Sequence, residues 1–393
     1  MPRVNPEILR WARETAGLTV DEAAKKIQLR EARGVSPAER LAALETGEAE
    51  PTRPLLLRMA KQYRRPLLTF YLPKPPKKGD RGEDFRTLPE DYSDVDEAHV
   101  DALIRDVRAR QGLVRAAMED DEEAKPLPFI GSMSRSAGVA ALVGSISETL
   151  CLSLDEFRAA ADSNAAFKLL RSRAEEAGIF VLLIGDLGSY HTAISVKAFR
   201  GFALADPLAP FVIINDQDSR AAWSFTLLHE LAHLWLGQTG VSGGLTERKA
   251  EQFCNDVASE FLLPADELAG MRLPTTREAE LVSLINDFAS TRNISRSMVA
   301  YRFYCQQFID YALWQNLRSR FQELWVQERL RTKERNKESE GGPSYYVLRR
   351  HRIGQALIEL VARMMAAGEL TTAKAGRVLG VKPKQVQYIV AES

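Results

Sequence analysis

Cysteine and histidine are the scarce residues of this 393-residue chain, with 3 of the first and 5 of the second. Cys151, Cys254 and Cys305 are odd in number and form no Cys-x-x-Cys pair, which excludes a disulfide scaffold and a cysteine-rich zinc finger and suits a reducing compartment. Cys254, on the apolar side of a helical stretch, reads as a small core residue. No apolar run approaches the roughly 20 residues a membrane-spanning helix needs, and the MPRVNPEI start lacks the apolar core of a secretory signal. The expectation is therefore a cytoplasmic protein with no membrane contact. Excess charge is also absent: 53 basic residues balance 53 acidic ones, so the chain as a whole has no pull toward nucleic acid, and any DNA contact must be local. What remains is ordinary for a globular protein of two or three domains, 45% hydrophobic and 27% charged.

Against that scarcity, two of the histidines share one pentapeptide, HELAH, inside FTLLHELAHLWLG (225–237). At 3.6 residues per turn, His229 and His233 project from one helix face, close enough to share a metal, with Glu230 one step round beside them. Zinc in hydrolases takes three protein ligands and leaves a position for water, whose pKa falls toward about 7, and an adjacent carboxylate can take its proton. Leu227, Leu228, Leu231, Ala232, Leu234 and Trp235 surround the pair as in a buried helix, and PFVIIND just upstream reads as a short strand.

A third ligand is expected from TERKAEQFCNDVASEFLLP (246–264), an amphipathic helix ended by Pro264. Glu247, Glu251 and Asn255 lie four apart on one stripe; Glu251 supported by Asn255 fits a ligating carboxylate, and Glu247 is the rival one turn earlier. HELAH followed by E-x-x-x-N running into VASEFLLP resembles the ImmA/IrrE family of zinc metallopeptidases, which are gluzincin-like. That resemblance implies His229, His233 and Glu251 as zinc ligands, Asn255 as their neighbour, Glu230 as general base, and a helix-turn-helix transcriptional repressor as the protein cleaved, under stress or a phage or mobile-element signal.

The rest of the chain gives an α+β class, mostly helical. Residues 1–72 resemble the five-helix XRE-type repressor domain that members of the family often carry: Asn5-Pro6 opens a helix, Thr19 and Glu22 form a capping box, and Ser36 opens SPAERLAALETGE. The recognition helix would be 36–44, with Arg30, Arg33, Ser36 and Arg40 as DNA-contact candidates and Lys61, Arg64 and Arg65 as phosphate contacts. Its base-reading content is poor, and helix-turn-helix units also dock proteins, so both uses stay open. Residues 73–92 read as a linker of proline, glycine and mixed charge, and 93–290 as the zinc metallopeptidase domain.

Within that domain a long brace helix (93–121) and helical segments at 138–150, 153–161 and 165–178 precede three strand-like stretches, GIFVLLIGD, HTAISVKAFRGFALAD and PFVIIND, with 197–206 expected at the sheet edge. His191, Tyr301 and Tyr304 are weak candidates for stabilising an oxyanion. Residues 291–393 form a helical C-terminal region, with a charged hinge at 331–342 and a helix-turn-helix-like end. That end reads as a cap on the peptidase ahead of a DNA contact. The leading reading is a zinc endopeptidase. The alternative is a DNA-binding transcriptional regulator whose zinc is structural or senses a ligand, against which Glu230 argues, since a closed four-ligand site has no use for it.

Overall fold

The computed structural model describes residues 3–32, 34–76, 94–120, 124–238, 245–273, 277–338 and 344–391. They form a mostly helical α+β fold in two compact units. The smaller unit holds α1 (Pro6–Glu14), α2 (Val20–Lys26), α3 (Pro37–Thr46), α4 (Arg53–Gln62) and a single 3-10 turn (Leu67–Tyr71), so the fifth helix expected there is one short turn. The caps act as the sequence predicts. Asn5 accepts from the Glu7 amide, and Thr19 with Glu22 and Ser36 with Glu39 each form a reciprocal capping box. Ile8, Leu9, Ala12, Ile27, Leu41, Met59 and Phe70 make the core. Into it runs a paired charge: Arg13 of α1 donates to both carboxylate oxygens of Glu45 on α3, at 2.7 and 2.9 Å, and to the Leu18 carbonyl at 2.9 Å. The start of α5 (Asp94–Asp120), as far as Asp106, and the segment 186–198 also belong to this unit.

The larger unit starts from Val107 on α5 and continues with α6 (Val139–Thr149), α7 (Leu154–Ala159) and α8 (Ser163–Glu176). Its sheet is β1 (Phe180–Leu183), β2 (Gly201–Leu204) and β3 (Phe211–Ile214), with β3 in the middle, parallel to β1 and antiparallel to β2. Every residue of β1 and β3 is buried, which is why both read as continuous apolar runs instead of alternating ones. The expected middle strand is shorter than its β-rich sequence suggests. Over 186–193 the Thr192 hydroxyl accepts from the Leu187 amide and donates to the Ser189 carbonyl, and these local bonds replace a ladder with a turn at Tyr190–Thr192.

After β3 come α9 (Arg220–Trp235), α10 (Leu245–Leu262), α11 (Ala265–Leu268), α12 (Glu278–Ser290), α13 (Arg296–Cys305) and α14 (Tyr311–Glu338). α14 carries helix through Arg331–Glu338, where a hinge was expected, because RTKERNKE consists of helix-tolerant residues with no glycine or proline. The rest of that hinge, 339–342, and most of the expected 73–92 linker lie outside the described residues. No described helix is long and apolar enough to cross a membrane.

The chain ends in α15 (Tyr345–Ile353), α16 (Gln355–Ala366), α17 (Thr372–Leu379) and α18 (Pro383–Val390). Two carboxylates seat this bundle on the rest of the larger unit, Asp216, 2.6 Å from Arg352 of α15, and Glu175. Glu175, at the end of α8, accepts from the Gln355 and Ala356 amides at 2.9 and 3.2 Å, capping α16 from 180 residues away, while it also pairs with Arg171 at 2.8 Å. Arg171 in turn donates to the His351 and Val181 carbonyls, tying α15 to β1. Gly354 (φ 92°) lies against both Glu175 and Arg171, where a side chain would collide.

The Arg13–Glu45 pair generates a stability prediction. Glu45→Ala leaves a buried guanidinium without its partner and is expected to cost about 3–5 kcal/mol. Hydrogen exchange should show α1 and α3 losing protection together; wild-type protection of the Ile8, Leu9 and Ala12 amides would show the pair to be dispensable.

Candidate metal centre

α9 is apolar on every side. Of its residues 222–235 only Phe225 is not fully buried, so the helix lies inside the unit with nowhere to put a charge except against another buried group. Yet it carries His229, Glu230 and His233, exposed by only 9, 3 and 2%. The helix is held from several directions. Trp223 meets Phe167 of α8 edge-on, Phe129 stacks on Trp235 with centroids 4.5 Å apart, and Trp235 donates to the Ser145 hydroxyl of α6 at 2.9 Å. Gly131 and Met133 donate their amides to the Leu234 and Trp235 carbonyls at the end of the helix. Gly237, at φ 67°, turns the chain off the helix against the backbone of Gly131, too close for any Cβ.

The i, i+4 spacing brings the two imidazoles together, Nε2 to Nε2, at 3.2 Å. α10 packs across α9 and delivers Glu251, whose Oε2 lies 3.2 Å from His229 Nε2 and whose Oε1 lies 3.1 Å from His233 Nε2. In a tetrahedral site with bonds of about 2.0–2.1 Å, ligand atoms stand roughly 3.3 Å apart. The observed separations match. Two imidazole nitrogens and a carboxylate aimed at one point form the donor set of a divalent cation that accepts nitrogen and oxygen. Burial alone would raise the Glu251 carboxyl, but the two imidazoles hydrogen-bonded to it outweigh that and hold it well below the usual carboxylate range. Burial pushes His229 down. Cys254, fully buried one turn from Glu251, has its thiol pushed up by burial; it neighbours His233 but is not one of the three groups that converge.

Of the residues singled out in the sequence, His229, His233 and Glu251 are thus brought together. Glu230 lies beside them without joining the set, and Asn255 lies one turn beyond Glu251 on α10. The side chain of the rival Glu247 lies outside the described residues, as does Arg33. The other DNA-contact candidates are partly engaged within the protein. The Ser36 hydroxyl caps α3, and Arg40 donates to the Arg30 carbonyl, pinning the loop before α3, while the Arg30 side chain is exposed. Arg65 stacks over Trp11 at 4.2 Å and donates to the Thr15 hydroxyl. His191 is exposed in the 190–192 turn, Tyr301 accepts from Gln252 at 2.6 Å, and Tyr304 stacks on Trp314 at 4.9 Å.

Two residues that matter to the site escaped the sequence reading. Gln238 Oε1 lies 3.3 Å from His233 Nδ1, which selects the tautomer with its proton on Nδ1 and its lone pair on Nε2, aimed at the metal point. Nothing in the sequence marks a glutamine in the turn after a helix. Gly201 opens β2 where that strand crosses α9; a Cβ there would stand 2.6 Å from Thr226 Cγ2 and 2.9 Å from Glu230 Oε1. An isolated glycine in a strand-like stretch is a sign of close backbone approach, and that was the available signal.

Residues 175–304, about a third of the chain, match the family model Peptidase_M78, described as an IrrE N-terminal-like domain. The matched segment holds the sheet, α9 and α10, and it supports a metallopeptidase type of function. No curated protein and no solved structure matches the chain.

Metal content tests the geometry. Purified His229→Ala and Glu251→Gln proteins should lose their bound metal on dialysis, whereas Glu230→Gln should keep one equivalent. Gln238→Ala, which frees the His233 ring, should weaken metal binding by about 10–100-fold in competition with a chromophoric chelator. Full occupancy in Glu251→Gln would remove that carboxylate from the ligand set.

Proposed function

We propose that the chain is a zinc-dependent endopeptidase in which His229, His233 and Glu251 hold the metal and Glu230 is the general base. The observation that carries this is the leftover carboxylate. Three side chains complete the ligand set, and a fourth ionisable group, Glu230, is 3% exposed one residue along the same helix and outside that set. A structural site would close on a fourth side chain; among the described residues the cluster holds three.

Zinc in such a site polarises the scissile carbonyl and acidifies a water. The protein's part is proton handling. Glu230 takes a proton from the attacking water and then delivers it to the nitrogen of the leaving amine, so one carboxylate serves both halves of the hydrolysis. Glu230 Oε1 would stand 2.9 Å from a Cβ at Gly201, so that carboxylate is on the sheet side of the helix, and Gln238 on His233 Nδ1 leaves the Nε2 lone pair for a metal. The proposed substrate is a helix-turn-helix transcriptional repressor, cut in a flexible extended segment when stress or a mobile element signals. This assignment is supported by the resemblance of HELAH, Glu251-x-x-x-Asn255 and VASEFLLP to the ImmA/IrrE peptidases and by the match over 175–304.

The test uses the full zinc-loaded chain with helix-turn-helix repressors of the same cell as substrates, and fragment masses as readout. Glu230→Gln should keep its fold and zinc yet cleave at least about a hundredfold more slowly, the scale of general acid-base catalysis. Equal cleavage by both proteins removes Glu230 from the mechanism, and no cleavage by either, with or without the inducing stress, removes the peptidase reading.

A further inference from the structure

The C-terminal bundle has a second side, α17 and α18, beyond its seat on α8 and β1, and the turn between those two helices lies against Arg110 of α5. α17 and α18 pack against each other through Ala375, Val378, Leu379, Val386 and Ile389, all buried, and are joined by a tight turn at Gly380 (φ 66°). Gly376 lies under that turn. A Cβ there would stand 2.9 Å from the Val381 carbonyl and 3.3 Å from the Pro383 nitrogen, so the close crossing of the two helices depends on it. Two arginines of α15 hold the arrangement from behind: Arg349 donates to the Gly380 carbonyl, and Arg350 to the Tyr388 and Ile389 carbonyls. A capped helix, a glycine turn and a second helix beginning at proline are the parts of a helix-turn-helix.

The chemistry of the open face has one sign. From Leu370 to Ala391 the chain has Lys374, Arg377, Lys382 and Lys384 and no aspartate or glutamate, in a protein whose net charge is zero. All four cations are exposed. On α18, Lys384, Gln387 and Tyr388 recur at i, i+3 and i+4, so they form one exposed stripe opposite the buried Val386 and Ile389. Tyr388 is 60% exposed and leans on Tyr346 with centroids 5.1 Å apart. We infer that this end of the chain binds double-stranded DNA, with α18 entering the major groove and Lys374, Lys382 and Lys384 on the phosphates or base edges around it.

A duplex is the occupant that suits this surface. A helix with its side chains is about 10–12 Å across and the major groove about 12 Å wide. Lysine donates to guanine O6 and N7, glutamine donates to adenine N7 while its oxygen accepts from the adenine N6 amino group, and the surrounding lysines meet phosphates without needing a particular sequence. An acidic protein surface would answer the charge, but it has no use for the protruding Lys384, Gln387 and Tyr388 ridge. The two faces of the bundle are then complementary in use: α15 and α16 bind the larger unit through Glu175 and Arg171, and α18 presents that unit to DNA. This inference stands on the fold and charge of residues 345–391 and does not depend on the peptidase reading.

The experiment is fluorescence anisotropy of a labelled 30-base-pair duplex of mixed sequence titrated with the full chain from about 50 to 200 mM salt. Wild-type protein should bind, with affinity falling steeply as salt rises. Lys374→Ala/Lys382→Ala/Lys384→Ala should bind at least about tenfold more weakly, and its log–log salt slope should be shallower by roughly 3, one for each phosphate contact removed. All three side chains are exposed, so the variant should keep the wild-type melting temperature; the single charge reversal Lys384→Glu, also weaker in binding, serves as an independent check. Four outcomes overturn the proposal: no duplex binding by wild type at the lowest salt, undiminished binding by the triple variant, loss of binding only in Lys25→Ala/Lys26→Ala/Arg30→Ala of the N-terminal unit, or preference for a single-stranded RNA of equal length.

Discussion

A helix buried on all sides cannot carry three ionisable residues unless something compensates them, and that constraint organises the larger unit. An uncompensated buried charge is among the costliest features a fold can contain. In α9 the compensation is geometric: His229, His233 and Glu251 bring their polar atoms to a single point, at separations that suit a shared cation. Folding, metal binding and the position of α10 are therefore linked, because the apolar contact between α9 and α10 is tolerable only when the polar groups at its centre are satisfied. The aromatic contacts at the far end of α9, Phe129 on Trp235 and the amides of Gly131 and Met133 on its last carbonyls, fix how far the helix reaches and so where its histidines stand.

The same logic of remote compensation seats the C-terminal bundle. α16 starts at a glycine that offers no capping side chain, so its first amides depend on Glu175, a residue of α8. Glu175 is itself held by Arg171, which also reaches the His351 and Val181 carbonyls. One buried ion pair thus joins a helix end, a strand and a distant bundle. Partners of this kind contribute less as isolated bonds than as a requirement that all three elements be present together.

What could be read from the sequence follows from the range of the interactions. His229, Glu230 and His233 were legible because helical spacing is local and HELAH is short. Glu251 was separated from Glu247 only through the resemblance of the segment ending in VASEFLLP, since spacing alone left both on one stripe. The caps at Asn5, Thr19 and Ser36 and the strands at β1 and β3 are also local, and they form where their residues predict. Gln238, Gly201 and Glu175 were not legible, because each acts on a residue supplied by another element, and no window of sequence holds both partners. The middle strand was overextended for the opposite reason: Thr192 favours strands by propensity, but its hydroxyl finds backbone partners three and five residues away and folds the chain into a turn.

Exposure around the metal centre is uneven, and the unevenness has a direction. The His233 side chain is 3% exposed, that of His229 11%, and that of Glu251 25%. Solvent therefore reaches the centre on the side where His229 and Glu251 meet, while His233 is closed in with Gln238 at the helix end. Glu230 is on the buried side, with the backbone of β2 pressed against its carboxylate at Gly201. The close approach of β2 to α9 there rests on a residue with no side chain.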